Sequence, residues 1–208
     1  MRQTMLVILA LAATAGTASA QAHRGAAREK DPSRPGIVLN VHAFATPGFS
    51  IEGEDIFGAI KTSLGPGIGA QVGYAFGPRY MVFASFDIAR LGATAGQTGH
   101  WGFGLFEVGG RMNFPMSNPR LMPYVSAAFG GGGIGAEVED QGDVKFAGLV
   151  ASAGGGLAYA LSPSLALDGG VMLSLGKFGD YEDPFQESDL SVDNTLTTRI
   201  RFGLNWRP

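Results

Sequence analysis

The chain predicts an all-β fold, a closed eight-stranded antiparallel up-and-down transmembrane β-barrel, and three observations carry that expectation. Apolar and polar residues alternate with period two in segment after segment from residue 36 onward. The joints between segments alternate between short turns and long loops. The formal charges inside the segments all fall on the polar parity. Period two marks an extended strand with two unlike faces. A soluble sheet turns its apolar face to the core, whereas a membrane barrel turns it to lipid and keeps the polar face inside.

Residues 1–20 form a secretory signal: Arg2 supplies a positive start, "MLVILALAA" an apolar centre, and Ala18, Ser19 and Ala20 a small-residue cleavage site. The apolar run is short for a bilayer span. Residue 21 is Gln, not the cysteine that bacterial lipoproteins modify. Residues 21–35 are polar, close on Pro35 and have no apolar period, which predicts a flexible periplasmic lead-in. Its Arg24, Arg28, Lys30 and Arg34 are read as solvated rather than bound to an anionic surface.

The chain has no cysteine, 33 glycines, 14 phenylalanines and a net charge of -3. An exported chain without cysteine has no disulfide scaffold and no thiolate metal site. No later stretch is long and apolar enough for a membrane helix, so any crossing must be made by strands.

Eight segments follow. In 36–45, Leu39, Val41 and Ala43 oppose Asn40 and His42; in 67–76, Ile68, Ala70, Val72, Tyr74 and Phe76 oppose Gly69, Gln71, Gly73 and Ala75. In 80–89, Tyr80, Val82, Ala84, Phe86 and Ile88 oppose Met81, Phe83, Ser85 and Asp87. In 104–114, Phe106, Val108, Met112 and Phe114 oppose Leu105, Glu107, Arg111 and Asn113. In 123–130, Val125, Ala127 and Phe129 oppose Tyr124, Ser126 and Ala128. In 149–161, Leu149, Ala151, Ala153, Leu157, Tyr159 and Leu161 oppose Ser152, Gly154, Gly156 and Ala158. In 165–176, Leu165, Leu167, Val171, Leu173 and Leu175 oppose Asp168, Gly170, Met172 and Ser174. In the last segment Ile200, Phe202, Leu204 and Trp206 oppose Arg199, Arg201, Gly203 and Asn205. Each is near the roughly 9–11 residues a tilted membrane strand needs.

The joints 77–79, 115–122 and 162–164 are short and rich in turn formers. The joints 46–66, 90–103, 131–148 and 177–193 are read as long loops, with a short helix predicted in 54–64. The loops hold Glu52, Glu54, Asp55, Glu137, Glu139, Asp140, Asp143, Asp180, Glu182, Asp183, Glu187, Asp189 and Asp193 against Lys61, Arg90, Lys145 and Lys177. The opposite end holds Arg79, Arg120, Arg207 and the basic lead-in. That segregation supports an up-and-down course, partly independently of the period-two pattern and the turns.

Asp87, Glu107, Arg111, Asp168, Arg199 and Arg201 define an expected lumen network. An arginine facing lipid at mid-membrane costs about 2–4 kcal/mol, and a one-residue slip of the last strand would expose both of its arginines. Eight strands leave an interior that side chains just fill, and buried charges need partners. Arg201 is expected beside Asp168 on the neighbouring strand, and Arg111 beside Glu107 or Asp87. Hydrocarbon tolerates no unpaired backbone, so the last strand must close on the first. Tyr74, Tyr80, Phe114, Tyr159 and Trp206 lie at the turn end, where an aromatic girdle belongs.

With its glycine-rich strands, lumenal charges and closing "RIRFGLNWRP", the stretch 36–208 resembles the small eight-stranded outer-membrane β-barrel family of Gram-negative bacteria, which includes the barrel of outer membrane protein A and outer membrane protein X. The resemblance implies an outer-membrane location. It implies that Ile200, Phe202, Leu204 and Trp206 act as the signal read by the barrel assembly machinery, although Arg207 and Pro208 follow where the family usually ends on its aromatic. It also implies that outer-membrane lipid and lipopolysaccharide are partners. No peptidoglycan-binding domain is expected after the last strand.

Other chemistry is weak. "GGGGIG" (130–135) fits a dinucleotide glycine pattern without the strand–helix unit that would give it meaning, and a flexible strand end is expected. The acidic run 180–189 lacks EF-hand spacing and is read as solvated rather than calcium-binding. Some relatives are lipid A deacylases or acyltransferases, but neither His42 nor His100 has a matching serine or acid in sequence. The expectation is a monomer without cofactor, metal, nucleic acid or enzymatic activity, contributing to envelope integrity with acidic loops turned outward for adhesion or lipopolysaccharide contact. A narrow porin-like channel for small or apolar solutes is the alternative, and a soluble lipocalin-like binding barrel the third reading.

Overall fold

The computed structural model describes residues 35–46, 49–51, 60–62, 65–92, 100–138, 142–183, 186–188 and 192–208. The expected signal and lead-in therefore lie outside the described residues, apart from Pro35. Eight long strands carry the fold: β1 (Gly36–Thr46), β2 (Gly65–Ala75), β3 (Tyr80–Gly92), β4 (His100–Asn113), β5 (Leu121–Val138), β6 (Gly142–Ala160), β7 (Leu165–Asp183) and β8 (Val192–Trp206). Each pairs antiparallel with the strand that precedes it and the one that follows. The ring closes where β1 meets β8, from Leu39 opposite Trp206 to Ala45 opposite Ile200. Among the described residues, each of the eight barrel strands is paired on both sides, as hydrocarbon demands. Three short strands extend the ring: Phe49–Ile51 pairs with Ile60–Thr62 and with β8, and Gln186–Ser188 pairs with β7.

The barrel is inside out relative to a soluble protein. Phe202 is 64% exposed and Leu204 40%, while Arg199, on the opposite face of the same strand, is 0% exposed. The same reversal runs round the ring, with Ile68, Val72, Phe86, Val108, Phe129, Leu149, Leu173 and Ile200 all exposed. Tyr74, Phe76, Tyr80, Phe114, Tyr159 and Trp206 are exposed at the turn end, as an interfacial girdle requires.

The turns are tight. In the turn between β2 and β3 the Phe76 amide donates to the Tyr80 carbonyl at 2.9 Å. Gly77 there has a φ of 149°, a conformation that strains any residue with a Cβ.

Three expectations are corrected. The stretches 131–148 and 177–193 are largely strand: β5 and β6 stay paired out to Val138 opposite Gly142, and β7 runs on to Asp183. "GGGGIG" is no frayed end, since Gly130 lies between Glu107 and Val150 and Gly131 between Phe106 and Leu149. Glycine has no side chain to declare a face, so the alternation that marks a strand vanishes there while the backbone ladder continues. Within 54–64, Ile60–Thr62 is strand rather than helix, and the remainder lies outside the described residues.

Phe86 sits near the middle of the outer wall and is 54% exposed. Phe86→Arg is expected to lower folding stability in lipid vesicles by about 2–4 kcal/mol, measured by urea titration. An unchanged midpoint would place this face away from hydrocarbon.

Candidate functional site

Every described formal charge that points inward lies in one belt across the lumen. At its centre is Arg199. Its Nη1 donates to Asp87 Oδ2 at 2.5 Å, and its Nη2 faces both Glu107 oxygens at 2.8 and 3.0 Å. The same Nη2 stands 3.0 Å from Ser152 Oγ and 2.8 Å from Ser174 Oγ. Ser152 also donates to Glu107 and lies 2.7 Å from Ser174 Oγ. Arg201 Nη2 donates to Asp87 Oδ2 at 2.5 Å and lies 3.6 Å from Glu107 Oε2.

A second group lies nearer the turn end. Asp168 accepts from Arg111 Nη1 at 2.8 Å, Tyr124 hydroxyl at 2.8 Å and Asn205 Nδ2 at 2.9 Å. Arg111 also donates through Nε to Asn113 at 2.8 Å, and its guanidinium lies 3.5 Å from the Tyr124 ring centroid. Contacts of that kind are favourable when desolvated.

His42 joins the two groups, with Nε2 2.8 Å from Asp87 Oδ1 and Nδ1 2.7 Å from Asn40 Oδ1. Gly69 makes this possible. It stands opposite His42 on one side and Asp87 on the other, and a Cβ there would sit 2.5 Å from His42 Nε2. Tyr124 reaches Asp168 by the same device, lying across Gly156 and Gly170, where added Cβ atoms would meet its hydroxyl at 2.5 and 2.6 Å.

The six expected residues are thus brought into one belt, but the partners are exchanged. Arg201 pairs with Asp87 rather than Asp168, and Arg111 pairs with Asp168 rather than with Glu107 or Asp87. Asp168 stands opposite Gly203, one inward position nearer the turn end than Arg201, and there it is held by three donors. Arg201 instead reaches the acids of β3 and β4 across the lumen. Asn40, His42, Tyr124, Ser152, Ser174 and Asn205 complete the belt; their signal in the sequence was their place on the polar parity. The side chains of His100 and Trp101, and those of all the acidic loop residues named above, lie outside the described side chains.

Apolar groups close over the belt. Phe44, Leu91, Phe103, Leu105, Ile134 and Val150 are buried toward the loop end, and Val38, Ala75, Met81, Phe83 and Ala128 form a buried cluster nearer the turns. A small pocket remains beside the belt, bordered by Asn40, His42, Gln71, Arg111, Tyr124 and Arg201.

Removing one member of a buried ion cluster leaves the others uncompensated, at a cost of about 3–5 kcal/mol. Arg199→Met is expected to fall in that range by urea unfolding in vesicles, and Arg199→Met with Glu107→Gln to lose less than the sum of the two single changes. Strict additivity would mean that these groups do not act as one unit.

Residues 8–207 match the family described as outer membrane protein beta-barrel domain. Among solved structures, the chain is similar to neisserial surface protein A, at a TM-score of 0.56 and 16% identity over 82% of this chain and 97% of that one. It is also similar to Ail, the attachment invasion locus protein of Yersinia pestis, at a TM-score of 0.51 and 15% identity over 83% of this chain and 99% of that one. No curated protein matches. The family match spans nearly the whole chain, and the ring of strands, the apolar outer wall and the charged lumen agree with it: the protein belongs to the outer membrane protein beta-barrel domain family and is an outer-membrane barrel.

Proposed function

We propose that the protein is a closed, non-enzymatic barrel that reinforces the outer membrane. Export depends on the signal in residues 1–20, and insertion depends on Ile200, Phe202, Leu204 and Trp206 being read by the barrel assembly machinery. It works as a monomer in contact with outer-membrane lipid and lipopolysaccharide, with acidic loops outward for adhesion or lipopolysaccharide contact. One observation carries this reading: Arg199, fully buried, ties Asp87 of β3 and Glu107 of β4 to β8 across the middle of the lumen. An ion crossing there would have to part that cluster and pass buried apolar layers on both sides.

The absence of catalysis is supported by the state of His42. Both of its ring nitrogens are engaged, by Asn40 and Asp87, which leaves neither free to activate a nucleophile. Monomeric action is supported by ring closure, since among the described residues each of the eight barrel strands is paired on both sides.

Purified protein that runs as a compact band unboiled and a slower band boiled is expected to give no steady conductance steps in planar bilayers. Reproducible unitary steps from such protein would replace this reading with the narrow-channel one. Cells lacking the protein are expected to take up an apolar fluorescent dye faster, and equal uptake would remove the integrity role.

A further inference from the structure

The two ends of the barrel differ in charge. The joints at the loop end are mainly acidic in sequence. At the turn end, the described residues 76–79, 114–120, 161–164, 207 and 208 include Arg79, Arg120 and Arg207 and no aspartate or glutamate. The short turns of an outer-membrane barrel face the periplasm, so this basic rim meets the periplasmic leaflet. Each arginine is held by its backbone beside an outward position of the aromatic girdle. Arg79 precedes Tyr80, which is 56% exposed, and the Arg79 carbonyl accepts from the Asn113 amide at 2.7 Å. Arg207 follows Trp206, which is 49% exposed. Arg120 precedes Leu121, which stands opposite Tyr159. Tyrosine and tryptophan settle at headgroup level, which places the adjoining arginines at the same level.

Two of the three bracket one hairpin. The Arg120 carbonyl accepts from the Ala160 amide at the end of β6, and the Arg207 amide donates to the Ser164 carbonyl just before β7, both at 2.8 Å. The lanes of β5, β6, β7 and β8 therefore stand side by side with an arginine at each margin, about 14 Å apart at the backbone by three strand spacings. The outer wall below this hairpin is an apolar bed. Tyr159 stands opposite Leu167, Leu167 opposite Leu204, and Leu165 opposite Trp206. An apolar bed with guanidinium groups at its headgroup edge matches a molecule with acyl chains and a phosphate. The planar fork of arginine fits phosphate oxygens, and each basic residue near an anionic surface is worth roughly a fivefold preference.

We propose that the outer wall below the β6–β7 hairpin, with Arg120 and Arg207 at its margins, binds an acidic glycerophospholipid of the periplasmic leaflet, of the phosphatidylglycerol class. This rests on the lipid contact proposed above and gives it a leaflet, a place and a charge. A zwitterionic lipid offers the same acyl chains but no net negative charge for the arginines to balance. Arg79, in the turn between β2 and β3, adds to the positive field of the rim.

The two tryptophans of the chain report the two ends separately, because Trp206 borders the proposed site and Trp101 lies at the loop end of β4. Trp101→Phe leaves Trp206 as the reporter, and Trp206→Phe leaves Trp101. In phosphatidylcholine vesicles carrying a minor fraction of brominated lipid, brominated phosphatidylglycerol is expected to quench Trp206 as if enriched roughly fivefold or more over brominated phosphatidylcholine. No such preference is expected at Trp101. Arg120→Gln, in an exposed turn, is expected to lower the preference in part, and Arg120→Gln with Arg207→Gln to abolish it. Equal quenching of Trp206 by the two lipids would overturn the proposal, and so would a preference that survives the double change. An equal preference at Trp101 would assign the attraction to the barrel as a whole and overturn it too. Loss of the preference to inorganic phosphate at constant ionic strength would assign the site to free phosphate, with the same result. The compact unboiled band is read on the same vesicles, so equal quenching of a folded barrel removes the lipid site and leaves the barrel reading standing.

Discussion

The backbone is the constraint from which the rest follows. Within hydrocarbon no water is available to pair an N–H or a carbonyl, and each one left bare costs several kcal/mol. Pairing β1 with β8 satisfies the last of them. Once the ring is closed there are only two faces, and the parity of each residue decides which it sees. Arg199 and Arg201 can then face only the lumen, and Ile200 and Phe202 only the outer wall. The inward charges are not placed for mutual attraction in the first instance. They are confined, and pairing is the way confinement becomes tolerable.

Confinement also explains why the belt is so densely bonded. Asp87 accepts from Arg199 and Arg201 of β8 and lies 2.8 Å from the His42 ring of β1, and Glu107 accepts from Arg199 and Ser152. Charge-assisted hydrogen bonds are stronger than neutral ones, and the low dielectric of a filled lumen strengthens them further. The same low dielectric makes a half-made network worse than none. The belt therefore works as a unit. In the sealed-barrel reading proposed above, the arrangement that spares each charge from isolation is also what blocks the passage, rather than a separate feature added to it.

The fold was legible because period two is a local property. Each strand declares its faces in its own few residues, so "RIRFGLNW" could be read without knowledge of its neighbours. The pairings in the lumen were not legible, because they depend on which residues stand at the same height across the barrel. Arg201 and Asp168 are near one another in the flattened sheet, yet Asp168 is taken by Arg111, Tyr124 and Asn205. The long strands β5, β6 and β7 were cut short for a related reason. Where Gly130, Gly131, Gly132 and Gly133 follow one another, no side chain marks inside from outside, and a paired strand looks like a loop. The place of His42 was hidden because Asp87, 45 residues away in sequence, meets it only across Gly69 of the intervening strand.

The glycines supply what the charges alone lack. In a lumen that side chains just fill, a long side chain can reach sideways only if its neighbour in the same row has no Cβ. Phe44 lies against Gly67, His42 against Gly69 and Gly203, Phe83 against Gly109, Met172 against Gly154, and Tyr124 against Gly156 and Gly170. These glycines do not serve as hinges; they are the floor on which the larger groups lie. They also select partners. His42 meets Asp87 two strands away because Gly69 stands between them, and Tyr124 meets Asp168 because Gly156 and Gly170 leave it room. A substitution to alanine at Gly69 would leave every charge in place and still separate the imidazole from its carboxylate. The pairing pattern of the lumen is thus written as much in the residues without side chains as in those that carry charge.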